Sequence, residues 1–172
     1  MKQLHMFYLG GNAGRSNIEV HDVQFAAVAS VEEAYPALRE AWFGDPDKLH
    51  LDGYSVIRWA DGHDVSLGPQ PCSSGLKLFF VNVGGYRREH LAELHDFGLF
   101  VAADAGEAKA RARASLLADA NIPHKDNLVE VDGCLALARF DGLHVQLRPN
   151  PHGRAELPAW QGYRPIGVAR PA

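Results

Sequence analysis

Only two cysteines, Cys72 and Cys134, occur among the 172 residues, too few for a disulfide framework or a Cys-rich zinc site. No apolar run approaches the roughly 20 residues that cross a bilayer. The opening segment, Met1 to Tyr8, meets a Gly-Gly too early to hold a signal-peptide core. A basic excess is missing as well: 17 Lys and Arg face 21 Asp and Glu, a formal charge of −4. Such a chain has no general field for a phosphate backbone, so nucleic acid is disfavoured as a partner. Local basic patches remain at Arg87-Arg88 and Arg111-x-Arg113. With 47% hydrophobic and 22% charged residues, the composition is that of a soluble globular protein. The expectation is a cytoplasmic chain with no membrane segment, forming one domain or two small units sharing a core.

What is present is a duplication. Gly10-Gly11 recurs as Gly84-Gly85, and Glu19-x-His21-Asp22 as Glu93-x-His95-Asp96, both 74 positions on. Ala29 and Glu33-Ala34 follow the same displacement to Ala103 and Glu107-Ala108. After a lengthening the displacement becomes 80: Asp52-Gly53 meets Asp132-Gly133, Asp61-Gly62 meets Asp141-Gly142, and Val65, Leu67 and Pro69 meet Val145, Leu147 and Pro149. Matches at Ala or Gly arise readily by chance; a Glu-x-His-Asp at a fixed distance from Gly-Gly does not. The chain divides into repeat 1 (1–74), repeat 2 (75–149) and a proline-rich arm (150–172).

Each repeat starts with an apolar strand ending at the Gly pair, followed by a polar loop. Odd positions then alternate: Glu19, His21, Val23, Phe25, Ala27, and Glu93, His95, Phe97, Leu99, Val101. That period of two predicts a half-buried strand with Glu and His on one face and Asp22 or Asp96 on the other. Ser30-x-x-Glu33 and Asp104-x-x-Glu107 carry capping-box spacing before a helix. Pro36 removes a backbone donor, so the first helix should kink or start late. The second, predicted over 107–120, has no such obstacle. Asp61-Gly62 and Asp141-Gly142 sit between apolar runs, a hairpin signal, because a type I′ turn needs positive φ at both central positions. The expected fold is α+β, mostly antiparallel sheet. Two tandem β-β-α-β-β repeats with one helix each would pack about a pseudo-two-fold.

These residues resemble the bacterial domain of unknown function family 1543, whose members have one or two copies of a short domain with a Gly-Gly turn and an Ile-Glu-x-His-Asp-like signature. That signature stands here as Ile18-Glu19-Val20-His21-Asp22, and in the second copy as Ala92-Glu93-Leu94-His95-Asp96, without the leading Ile. The resemblance covers about 150 residues. It implies the duplicated architecture and brings no assigned activity.

Chemistry, if present, should centre on the Glu-x-His-Asp elements. Alternate strand residues lie roughly 6.6–6.8 Å apart, so Glu19 and His21 can reach toward one point. A dyad that brought the copies together would gather Glu19, His21, Glu93 and His95 into a two-His, two-carboxylate set suited to a divalent metal, or to a general base. The plainer reading is a hydrogen-bonded brace in each copy, since an unpaired buried polar group costs about 1–3 kcal/mol. Gly10-Gly11-Asn12-Ala13-Gly14-Arg15 looks like a phosphate cradle, with Arg15 or Arg87 as anion partners. It opens into a strand rather than a helix, however, and tight turns use the same glycines.

The remaining histidines lack ligand spacing, and His50, His90 and His124 read as solvated loop residues. Residues 68–75, with Cys72, have linker composition. The arm holds five of the ten prolines with Trp160, Tyr163 and Ile166; it should run extended and dock its aromatics on the body or a neighbouring subunit.

Three functions are compatible with this sequence. One is a non-catalytic, self-associating ligand-binding or interaction module, compatible with a homodimer, with Glu19, His21, Asp22, Glu93, His95, Asp96, Arg15 and Arg87 between the repeats. The second is a metal-assisted hydrolase using His21, His95, Glu19 and Glu93. The third is a structural accessory protein with no site.

Overall fold

The computed structural model of the chain describes residues 1–87, 89–116 and 129–168, with backbone alone for 129–132. Antiparallel sheets dominate among the described residues, together with two short α-helices: an α+β, sheet-rich architecture. In chain order the elements are β1 (Gln3–Gly11), β2 (Val20–Val28), α1 (Tyr35–Ala41), β3 (His50–Val56), β4 (Trp59–Ala60), β5 (His63–Gly68), β6 (Lys77–Gly85), β7 (Leu94–Ala102), α2 (Ala105–Ser115), β8 (Val129–Leu137), β9 (Arg139–Phe140), β10 (Leu143–Pro149) and β11 (Trp160–Pro165). The apolar run before each Asp-Gly turn is broken into two strands. At the break Ile57 is buried, and its amide still donates across to Leu4 O of β1 at 2.8 Å. Among the described residues no helix is long and apolar enough to cross a membrane.

The chain forms two compact units, Met1–Trp59 with Arg154–Ala172, and Ala60–Gly153. The first unit has the sheet order β11-β3-β1-β2, antiparallel throughout. Strand β1 is central and apolar on alternate positions: Phe7 and Leu9 face one core with Val28 from β2 and Leu51 from β3. Helix α1 closes that core with Leu38, preceded by Ala34 and followed by Trp42. Pro36 acts as expected. A 3-10 turn at Glu32–Ala34 comes first and the regular helix starts late, at Tyr35, with proline in its first turn, where a missing N–H removes no helical bond. The expected Ser30 cap does not form. Val31 occupies the cap position without a side-chain bond, and only Glu33 reaches back, accepting from the Ala29 amide at 2.9 Å.

Strand β3 carries a bulge. Tyr8 pairs with Gly53 and Leu9 with Leu51, so Asp52 has no partner on β1. One extra residue reverses the pleat phase, which lets both Leu51 and Tyr54 face the core while Asp52 joins His50 on the opposite face. The arm docks as expected, on its own unit. Strand β11 pairs with the outer edge of β3, ends at a proline, and lays Trp160 against the core; Ile166 is buried. At the sheet's edge, a proline removes no ladder bond.

The second unit contains the sheet β7-β6-β8, covered by α2 through Ala108 and Ala112 against Phe79, Val81 and Val83. Here the cap forms: Asp104 Oδ1 accepts from the Glu107 amide at 3.0 Å and the Glu107 carboxylate accepts from the Ala103 amide at 3.0 Å. The expected extension of this helix over 117–120 lies outside the described residues. A second sheet has the order β4-β5-β10-β9. Its two hairpins turn at Asp61 (φ 48°) and Gly62 (φ 80°), and at Asp141 (φ 49°) and Gly142 (φ 78°), the type I′ geometry read from the sequence. Strands β5 and β10 pair so that Ser66 lies opposite Gln146, 80 positions on. Asp61 does more than turn the chain: it accepts from the Val101 amide at 2.7 Å and from Arg111 at 2.5 Å, fastening the hairpin to β7 and α2.

Candidate functional site

The pleat of β1 puts Tyr8 and Gly10 on the face opposite the α1-covered core. Gly10 pairs with His21 on one side and His50 on the other. Glu19 stands just before β2, and the bulge brings Asp52 to the same place. Four ionisable side chains, from β2, the residue before it and β3, therefore meet above a β1 residue that has no side chain.

Their contacts form a ring. His50 Nε2 lies 2.5 Å from Glu19 Oε1 and 3.2 Å from Asp52 Oδ1. His21 Nε2 lies 3.4 Å from Asp52 Oδ2 and 3.8 Å from Glu19 Oε2. Each carboxylate thus offers one oxygen to each imidazole. His50 is further oriented by its other nitrogen, 3.1 Å from Lys48 O. A carbonyl only accepts, so Nδ1 carries a hydrogen and Nε2 is the nitrogen turned to the carboxylates. No lysine or arginine among the described residues pairs with Glu19 or Asp52. Two aromatic rings flank the ring of charges: Tyr8 stacks on His21 at 5.1 Å and Tyr163, from the arm, lies 4.4 Å from His50.

Burial is graded. The side chains of Glu19 and His21 are 43% and 37% exposed, Asp52 24% and His50 only 7%. Burial pushes the Asp52 carboxyl above its ordinary range; His50 and His21 pull it back, and Glu19 pushes it up again, with a net rise. The Tyr8 hydroxyl is raised too, first by burial and then by the negative charge of Asp52 and Glu19.

A pH dependence follows from Asp52. Its folded-state value lies above the ordinary 3.8, so the folded chain holds that proton more tightly than the unfolded chain. The associated stability is complete below pH 3.8 and is lost as pH rises through the raised value. Asp52→Asn removes that loss. The variant's melting temperature should exceed the parent's at neutral pH, the gap closing as pH falls toward 3.8. Melting curves across that range check it, and a gap that widens on acidification contradicts the sign.

The other sequence candidates fall elsewhere. Asp22 is turned to its own strand, accepting from the Val23 amide at 2.8 Å and from Gln24 Nε2 at 2.6 Å; Asp96 accepts from the Phe97 amide at 2.8 Å. Arg15 is exposed in the loop after Gly14, and Arg87 is exposed after Gly85. Arg88 and His124 lie outside the described residues. In the second unit Glu93 and His95 stand 3.7 Å apart, both partly exposed. Backbone register there repeats the first unit: Gly84 pairs with His95 and Glu130, and Asp132 is the unpaired, bulged residue. The position of His50 is thus held by a glutamate.

Sequence reasoning missed His50 and Asp52. His50, expected in solvent, is among the most buried polar residues of the chain. A signal existed: His50-x-Asp52 has the same one-residue spacing as Glu19-x-His21, and its aspartate belongs to the Asp-Gly that recurs in the second repeat. Among the described residues, no group of three or more His, Cys, Asp or Glu side chains is placed so that it could hold a metal ion.

Comparison with known proteins adds the following. The family described as Domain of Unknown Function (DUF1543) matches residues 16–67 and 90–147, one region in each copy of the repeat. The crystal structure of a protein Il1583 from Idiomarina loihiensis is similar over 98% of this chain and 100% of that one, at 30% identity and a TM-score of 0.73. No curated protein matches.

Proposed function

Because this chain belongs to the Domain of Unknown Function (DUF1543) family in a duplicated form, which brings no activity with it, we propose from its own geometry that it is a non-catalytic small-ligand-binding module. The binding residues are Glu19, His21, His50 and Asp52, with Tyr8 and Tyr163 as walls. This reading revises the residue set expected from the sequence and does not require the two copies to meet. It keeps the tandem repeats 1–74 and 75–149, the arm 150–172, a cytoplasmic location and self-association as parts of the proposal. The opposed Ser66 and Gln146 support an approximate two-fold relation between the two Asp-Gly hairpins.

One observation carries the reading. A brace gains most by sealing its polar atoms from water, whereas this ring sits on the sheet face away from the helix-covered core with Glu19 and His21 more than a third exposed. Groups that face solvent, with two carboxylates answered only by imidazoles, are available to an incoming molecule. Such arrangements trade stability for binding.

Glu19→Gln separates the two roles, because glutamine keeps an acceptor for His50 and removes the charge. A binding site predicts a melting temperature within about 3 °C of the parent, the scale of 1 kcal/mol for a chain of this size. A drop several times larger would make the ring a brace and end the binding reading.

A further inference from the structure

We propose that a cavity in the second unit binds a small organic anion, a monocarboxylate with a compact apolar body. The cavity measures about 190 Å³ and lies between the segment joining β5 to β6 and the strands β6, β8 and β10. Its floor is apolar: Leu78 of β6, Leu137 of β8, and Val145 and Leu147 of β10 are all buried. The joining segment is fastened down. Gln146 Nε2 donates to Gln70 O at 2.6 Å, the Cys72 thiol bonds to the backbone of Leu147, and Ser74 Oγ accepts from the Leu76 amide at 3.2 Å. A wall held in this way is formed before any ligand arrives, which lowers the ordering cost of binding.

The polar groups set the sign of the ligand. Lys77 and His144 line the cavity, and no aspartate or glutamate does. Neither the Lys77 ammonium nor the His144 ring is paired with another described residue. Arg139 stands opposite His144 in the β9–β10 register, which puts its side chain on the same face. The chain as a whole carries a formal charge of −4. An apolar concavity edged by two cations and a histidine, without a carboxylate, is complementary to an anion.

Volume sets the size. A cavity of about 150 Å³ takes one benzene ring, whereas drug-sized ligands occupy about 300–1,000 Å³. A space of about 190 Å³ therefore suits one ring or branched chain bearing a carboxylate and excludes a nucleotide. The apolar body displaces water from the four buried side chains, and the carboxylate accepts from Lys77 and His144.

Cys72, half-buried in the cavity wall, supplies a reporter. Burial raises its thiol, but the Ser74 hydroxyl and backbone hydrogen bonds to Ser74 and Leu147 outweigh burial, and the net shift is downward. At Cys134 burial prevails over the nearby Lys109, and that thiol is raised. Alkylation should reach Cys72 first, and an occupied cavity should slow it.

The test titrates the full isotope-labelled chain with benzoate, benzamide and benzylammonium, following backbone amides by NMR. Benzoate should shift the amides of Leu76, Lys77 and Val145 and protect Cys72 from alkylation. Benzamide has the same shape without the charge; it should bind about fivefold more weakly, the upper scale for one exposed charge pair, and benzylammonium least. Lys77→Met should weaken benzoate by about the same factor; Lys77 is exposed, so the variant should fold. Arg154→Met removes an exposed cation outside the cavity lining and should change nothing. Absence of these shifts at millimolar benzoate overturns the proposal. Equal binding of benzylammonium, or benzoate binding that Lys77→Met leaves unaltered, does so too. Glu19→Gln lies in the other unit and should leave benzoate binding intact, so failure of the ring as a binding site and failure of this cavity are read separately.

Discussion

Alanine at Gly10 should disperse the ring while the sheet survives. The added methyl would stand 2.5 Å from a nitrogen of His50, and His50 cannot step aside cheaply: it is buried, tied to Lys48 O and covered by Tyr163. Gly10 has no positive φ, so the penalty is one of space rather than backbone strain. Overpacking of this kind costs about 1–3 kcal/mol, or roughly 2–12 °C in melting temperature. The functional effect should be larger than the thermal one, because Asp52 and Glu19 are displaced by the same methyl. The imidazole proton resonances of His21 and His50 should move. Gly133→Ala is the control: nothing among the described residues lies within 4 Å of its Cβ position, and its effect should stay within about 0.5 kcal/mol. Equal behaviour of the two variants would mean that the space above Gly10 does not matter.

The largest loss of stability is expected from Phe7→Ala. Phe7 is fully buried in the middle of the central strand β1. It packs with Leu9, Leu38 and Leu51 and lies 6.3 Å from the Tyr54 ring, which in turn stacks on Trp160 of the docked arm. Truncating a buried phenylalanine costs about 3–5 kcal/mol, a fall on the order of 10 °C here. Loosening should reach β11, because Trp160 loses the surface that Tyr54 presents. Denaturant unfolding and hydrogen exchange at β11 would show this; a cost below about 1 kcal/mol would contradict the core described here.

These two positions show how unevenly the molecule was legible. Strand alternation, the late helix after Pro36 and the type I′ turns each depend on a few neighbouring residues, so they could be read locally. The α2 cap was legible for the same reason. The Ser30 cap was not: the 3-10 turn that accommodates Pro36 moves the helix start one residue on, beyond the reach of its hydroxyl. Glu19 and His21 were found because they recur with their spacing intact. His50 was passed over because its counterpart is Glu130, and a lone histidine in a stretch that looked like a loop has no pattern to mark it.

The linear order of residues determined that the chain is duplicated and that it is built mostly of antiparallel hairpins. Each of these follows from steric rules acting over a few positions. The tertiary structure decided that the acid–imidazole pair of the first repeat would be completed by His50 and Asp52, more than twenty-five residues further along. That choice depends on which strand lies beside β1 and on a bulge that reverses the pleat at Asp52. Sheet neighbours and bulge phase are set by the burial of Phe7, Leu9, Leu51 and Tyr54 together, a cooperative outcome that no short window of sequence contains.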